Sequence, residues 1–192
     1  MSTLHVENLK GLSSGGNANK IIVPSGQTLD ASAGVLTPSG GHVIQHNFTF
    51  LASGGTQNEV ETASSSYVAT NYSVSITPKF ANSRILFLAS INIKRTVNAG
   101  QSYLDLLLKR SIAGGGFGAV DGSGATNDMV RYRSSGSLDY ATMSLMVPDL
   151  PNTTSAVTYT VFVRNSTNSN SNVMRVGENG SDEYCHVMEI KQ

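Results

Sequence analysis

Few residues in this chain have the types and spacing that chemistry needs, and each candidate meets an obstacle in its own neighbourhood. Gly11-Leu12-Ser13-Ser14-Gly15 has the spacing of a nucleophile elbow, G-x-S-x-G. That turn requires a strand before the serine, a helix after it, and an Asp and a His later in a parallel-sheet fold. Here Gly16-Asn17-Ala18-Asn19 follows in a Ser/Gly-rich stretch, and the rest of the chain reads as antiparallel strands. His42 and His46 have the four-residue separation of a helical zinc pair, but the glutamate of H-E-x-x-H is missing. Their segment reads as a strand, on which the two rings share a face too far apart for one tetrahedral ion. Cys185 and His186 are adjacent on another strand and point to opposite faces, which disfavours a Cys-His pair.

The loop Ala113–Gly124 (AGGGFGAVDGSG) is rich enough in glycine to invite a phosphate cradle. It lacks Gly-Lys-Ser/Thr and opens no predicted helix, so it reads as a hairpin tip or an excursion. Asp121, Asp128 and Asp139 do not have calcium-loop spacing. No catalytic, metal or cofactor residue is therefore assigned. Arg131-Tyr132-Arg133 is the one cluster with recognition character, since Arg and Tyr are common anchors of binding patches. All three are candidate ligand contacts. Flanking Asp128 and Asp139 offer the arginines a structural alternative as ion-pair partners.

The elements that must position these residues are strands. His42–Phe50 places Phe48 and Phe50 on one face by the two-residue period. Tyr72–Thr77 alternates and stops at Pro78, and Ser83–Lys94 begins as a buried run and then alternates. Tyr103–Ile112 fits a helix or a strand, and its strand neighbours favour strand. Met129–Arg133, Asp139–Val147, Ala156–Arg164, Val173–Val176 and Glu183–Ile190 follow, with Pro148 and Pro151 enclosing a turn. Eight to ten short strands at this spacing predict an all-β fold, an antiparallel β-sandwich or jelly roll, over residues 41–192.

Residues 1–40 read differently. They are rich in Gly and Ser, with thin apolar groups: Leu4, Val6, Leu9 and Leu12, then Ile21, Ile22 and Val23, then Leu29, Val35 and Leu36. So few apolar side chains do not offset the entropy of ordering this much backbone. Such an arm orders where another surface completes it. The first group reads as a docking peptide and the later ones as a stem.

The chain has 192 residues, a formal net charge of +0 and a pI near 6.9. Charged residues are 14%, against about 25% in ordinary proteins. A neutral, Ser/Thr/Asn-rich surface suits dense assembly, where like charge would repel. It gives no reason to expect nucleic acid or an acidic membrane. The single cysteine excludes an internal disulfide. No apolar run approaches a membrane span, and no secretory signal is visible, so synthesis in a reducing cytoplasm is expected.

Val147-Pro-Asp-Leu-Pro-Asn-Thr-Thr-Ser-Ala-Val-Thr-Tyr-Thr-Val-Phe-Val-Arg-Asn165, closed by Glu183-Tyr-Cys-His-Val-Met-Glu-Ile190, resembles the C-terminal domain of small tail-fibre and virion-surface proteins of tailed bacteriophages, notably those of cyanobacteria. Ile21-Ile22-Val23-Pro24-Ser25-Gly26 and Leu29-Asp30-Ala31-Ser32 resemble their slender stems. The resemblance implies a jelly-roll head of the tumour-necrosis-factor type, trimeric about the stem, in a non-enzymatic virion protein made in the bacterial host cytoplasm. It implies partners among other virion proteins of head or tail, and contact with a host glycan or receptor at exposed tips. A short tail fibre, a capsid decoration protein and a carbohydrate-binding module are the forms it leaves open. A depolymerase would need paired carboxylates in a groove, and no such pair is identifiable.

Overall fold

A computed structural model of the chain describes residues 13–16, 21–27, 40–51, 59–95, 102–120, 129–134, 140–166, 173–177 and 183–192. The chain divides into two compact units, Met1–Thr37 and Pro38–Gln192.

In the second unit, alternation of apolar and polar side chains builds eleven strands among the described residues. They are β1 (Val43–Leu51), β2 (Val60–Thr62), β3 (Val68–Ile76), β4 (Arg84–Arg95), β5 (Ser102–Ile112), β6 (Gly118–Ala119), β7 (Val130–Ser134), β8 (Tyr140–Asp149), β9 (Val157–Asn165), β10 (Met174–Val176) and β11 (Glu183–Ile190). β5, whose sequence fits helix or strand and whose neighbours favour strand, is a strand. Two further boundaries depart from the sequence expectation. β3 begins at Val68 rather than Tyr72, and β8 runs through Pro148 rather than stopping before it. Pro148 is tolerated because β8 is an edge strand, paired only with β4, so the missing N–H interrupts no second ladder.

The first sheet has the order β1-β11-β4-β10-β2, with β8 also on β4. The second has the order β3-β9-β5-β6, with β7 also on β5. β1 and β2, β6 and β7, and β10 and β11 are collinear segments of single strand positions. Eleven strands therefore occupy eight positions (11 − 3), four in each antiparallel sheet. Strand β1/β2 pairs with the final strand, β10/β11, and successive positions alternate between sheets except β5 and β6/β7, which are paired neighbours in the second sheet. This is jelly-roll connectivity, a β-sandwich with the predicted all-β class.

The core lies between the sheets. β4 contributes Ile85, Phe87, Ile91 and Ile93, and β5 contributes Leu104, Leu106 and Leu108. β9 adds Val157, Tyr159, Val161 and Val163. Two polar networks tie the sheets through this core. Tyr159 donates its hydroxyl to Asp149 at 2.7 Å, and Arg110 pairs with the same carboxylate. Glu189 on β11 accepts the backbone N–H groups of Lys79 (2.9 Å) and Phe80 (3.1 Å) and the side-chain amide of Gln45 (2.6 Å). It thereby anchors the turn that follows β3.

β4 runs unbroken where its neighbours do not. β11 leaves it after Tyr184↔Ser90, and β10 rejoins at Val176↔Ile93. In the gap, Asn92 donates its N–H to the Glu183 carboxylate at 3.1 Å, and its carbonyl accepts Gly177 N–H at 3.0 Å. Buried Glu183 thus replaces a missing ladder partner, as an enclosed backbone amide requires. The C-terminus is held too: Gly41 N–H donates to the Lys191 carbonyl, and Lys191 N–H donates to the His42 carbonyl.

In the first unit, residues 13–16 and 21–27 are exposed. Gln27 N–H donates to the Pro24 carbonyl at 3.0 Å, closing a turn in which Gly26 has φ +79°. Ile21, Ile22 and Val23 are open to solvent. Leu4, Val6, Leu9, Leu12, Leu29, Val35 and Leu36 lie outside the described residues, as do Asp121, Asp128 and Asp139.

Candidate functional site

The outer face of the first sheet departs from the polar exterior usual for a sandwich. Strand register lines up two central rows across it, Phe48–His186–Leu88–Met146 and His46–Met188–Leu86–Pro148. No Lys, Arg, Asp or Glu stands in either row. Phe48 is 57% exposed and Met146 70%, with Phe50 and Tyr184 beside them at 53% and 44%. Contiguous apolar exposure of this kind marks an interaction surface rather than scattered surface residues.

Two histidines sit within it. The His46 and His186 rings stack at 5.1 Å with 9° between planes, and His46 Nε2 lies 2.8 Å from His186 Nδ1. Phe48 stacks on both rings, and Tyr184 meets His186 edge-on at 5.3 Å. One imidazole donates and the other accepts, so the contact requires that both not be protonated. Burial, and next the neighbouring His46, hold the His186 pKa below its ordinary value. It is His186 on β11, and not His42 on the same strand, that strand pairing places beside His46. Cys185 faces the core, away from His186, and burial pushes its thiol up to about 11. That thiol is no ready nucleophile.

The second cluster lies on the outer face of the other sheet. Asp105 on β5 is fully buried although it points outward. Arg131 grips it in a fork, Nε to Oδ1 at 2.6 Å and Nη2 to Oδ2 at 3.2 Å, while Arg164 Nε reaches Oδ2 at 3.1 Å. Burial raises the carboxyl pKa, but the arginine hydrogen bonds outweigh it and hold Asp105 below the usual range. Cations and rings alternate around this centre. Arg131 and Arg133 lie over Tyr103 at 5.7 and 6.0 Å, and Arg164 lies over Tyr67 at 4.7 Å. Lys109 lies over Phe162 at 4.5 Å and Tyr67 at 5.6 Å.

Two of the three expected ligand contacts therefore share this face, and one does not. The two-residue period turns Tyr132 inward, where it packs half-buried against the core. It is removed from the candidate set. Asp105 is the residue that sequence reasoning missed. The only signal was an acid inside an otherwise apolar run, Leu104-Asp105-Leu106-Leu107-Leu108, which predicts a buried partner cation without naming it. Ser13 and Gly15 of the elbow-like motif are exposed, with no flanking strand or helix among the described residues. Among the described residues no group of three or more His, Cys, Asp or Glu is placed to hold a metal ion.

No known family model and no curated protein matches the chain.

Proposed function

We propose that this chain is a non-enzymatic structural protein of a tailed-bacteriophage virion, assembled as a homotrimer. The head packs through the outer face of the first sheet, and the arm docks to other virion proteins. The observation that carries the reading is the pair of uncharged central rows, flanked by exposed Phe50 and Tyr184. A second copy of the chain is the partner such a face suits: it is apolar and free of like charge, and the whole chain has net charge +0. Covering the exposed part of Phe48 and Met146 contributes on the order of 1–2 kcal/mol each. Exposed Ile21, Ile22 and Val23 add the same argument for the stem. The virion assignment itself rests on the resemblance of residues 147–165 and 183–190 to phage surface proteins.

Native mass measurement tests the assembly. The expected result is a trimer for the full chain, and a folded monomer for Phe48→Glu combined with Met146→Glu. A monomeric full chain at micromolar concentration would overturn the reading. Reconstruction of phage particles carrying the chain tests the virion role, which fails if the protein is absent from them.

A further inference from the structure

We infer that His46 and His186 form a two-imidazole binding site for a divalent transition-metal ion of the copper type. The site goes beyond the assembly reading and does not rest on it, because both ligands belong to one head.

The pairing of β1 with β11 brings the two rings together, and His46 Nε2 lies 2.8 Å from His186 Nδ1. That spacing has a meaning in coordination chemistry. Two imidazole nitrogens, each about 2.0 Å from a shared ion, stand about 2.8 Å apart when they meet it at a right angle and about 3.3 Å apart in a tetrahedron. The observed separation is that of neighbouring corners of a square, the geometry of Cu²⁺ and Ni²⁺ rather than of Zn²⁺. In the present contact each nitrogen faces the other. Aiming both lone pairs at a shared point takes side-chain rotation alone, and His46 is exposed. The ring that donates the present hydrogen bond then carries its proton on its far nitrogen, so two neutral rings take the ion without releasing a proton.

The surroundings select the ion. Neither central row of this face carries a carboxylate, so calcium or magnesium finds no oxygen cage there. Neither row carries a lysine or arginine to repel a dication. Met188 stands opposite His46 in register, and its thioether is a soft donor that copper accepts. The Phe48 ring centre lies 5.9 Å from that of His46 and 5.7 Å from that of His186, and Tyr184 meets His186 from the side. These rings hold the pair in place before an ion arrives, which lowers the entropic cost of binding. Burial, and next His46, keep the His186 pKa below its ordinary value, so the ring is a neutral ligand at pH 7. With two protein donors, the remaining positions on the ion are left to water.

Cu²⁺ is the probe, added to the full chain after removal of bound metal with a chelator, with Ni²⁺ and Ca²⁺ as comparisons. Titration calorimetry is expected to show one Cu²⁺ per chain, Ni²⁺ bound more weakly and Ca²⁺ not bound. The electron paramagnetic resonance spectrum is expected to be that of a tetragonal ion with two nitrogen ligands, a readout that needs no variant. His46→Ala and His186→Phe are each expected to weaken Cu²⁺ binding at least tenfold. The chain has 4 histidines, and His5→Ala and His42→Ala are expected to leave binding unchanged. Absence of Cu²⁺ binding, a spectrum without two nitrogen ligands, unaffected variants at His46 and His186, or loss of binding on replacing His5 or His42 would each overturn the inference. Native mass separates the two readings: Cu²⁺ bound by a monomeric full chain overturns the assembly alone, and a trimer without Cu²⁺ binding overturns the metal site alone.

Discussion

Tyr159 and Asp149 join the two sheets through the core: the phenol on β9 donates to the carboxylate on β8 at 2.7 Å. Burial, and next the charge of Asp149, raise the Tyr159 pKa far above its ordinary value, so the phenol stays a donor. Arg110, from β5, completes the site. Asp149→Ala strands a largely buried guanidinium and is expected to cost about 3–5 kcal/mol. Tyr159→Phe removes one hydrogen bond and is expected to cost roughly 0.5–1.5 kcal/mol. Urea unfolding checks both, and equal costs would show that the arginine pair is not the main contributor.

Glu189 makes stability depend on acid. Burial pushes its carboxyl up, but the donors at Lys79, Phe80 and Gln45 hold it below the ordinary 4.5. A depressed folded pKa means that the unfolded chain binds the proton more readily. The stabilisation is complete above about pH 4.5 and lost as pH falls through the folded value. Asp105 behaves alike below its ordinary 3.8. Glu189→Gln is expected to flatten the acid limb of a stability–pH curve. An unchanged limb would assign the effect elsewhere.

The His46–His186 contact predicts an earlier transition in assembly. The His186 pKa is lowered in the fold, so protonation favours states in which the ring is solvated. Stability is full above about pH 6.5 and declines as pH drops below it. On the proposed packing of the first sheet, native mass is expected to shift from trimer toward monomer between pH 7.5 and 5.5. His186→Phe is expected to abolish that shift while keeping the aromatic stack. The same pH profile in both proteins would separate the histidines from assembly.

The arm and the head are expected to be separable. The compact unit begins at Pro38, and the strand-end hydrogen bonds to Lys191 come from Gly41 and His42. Deleting residues 1–37 is expected to leave thermal unfolding of the head unchanged and to abolish binding to particles. Full particle occupancy by the truncated chain would sink the docking role.

Strand existence was legible because alternation is local: Val157, Tyr159, Val161 and Val163 announce β9 without help from any other segment. β5 was ambiguous because Leu107 puts an apolar residue on the outward face between Leu106 and Leu108, which interrupts the period. The functional clusters were least legible. His46 and His186 are 140 positions apart, and Asp105 and Arg164 are 59 apart. Strand order brings them together, and no short motif encodes strand order. Arg131 and Arg133 stood out by residue type alone, while Asp105, which holds Arg131 from the neighbouring strand, did not. Tyr132 was misread because adjacency in sequence is opposition on a strand.

The break shared by β1/β2 and β10/β11 has a consequence for engineering. Leu51 pairs with Glu183 and Val60 with Val176, so two neighbouring strands leave the ladder at one level. Glu183 and Gly177 already satisfy β4 there. The sheet's continuity does not depend on how much chain lies between those anchor points. Lengthening a connection costs little closure entropy. Foreign peptides grafted between Leu51 and Val60 and between Val176 and Glu183 would emerge side by side, a paired display site within one head.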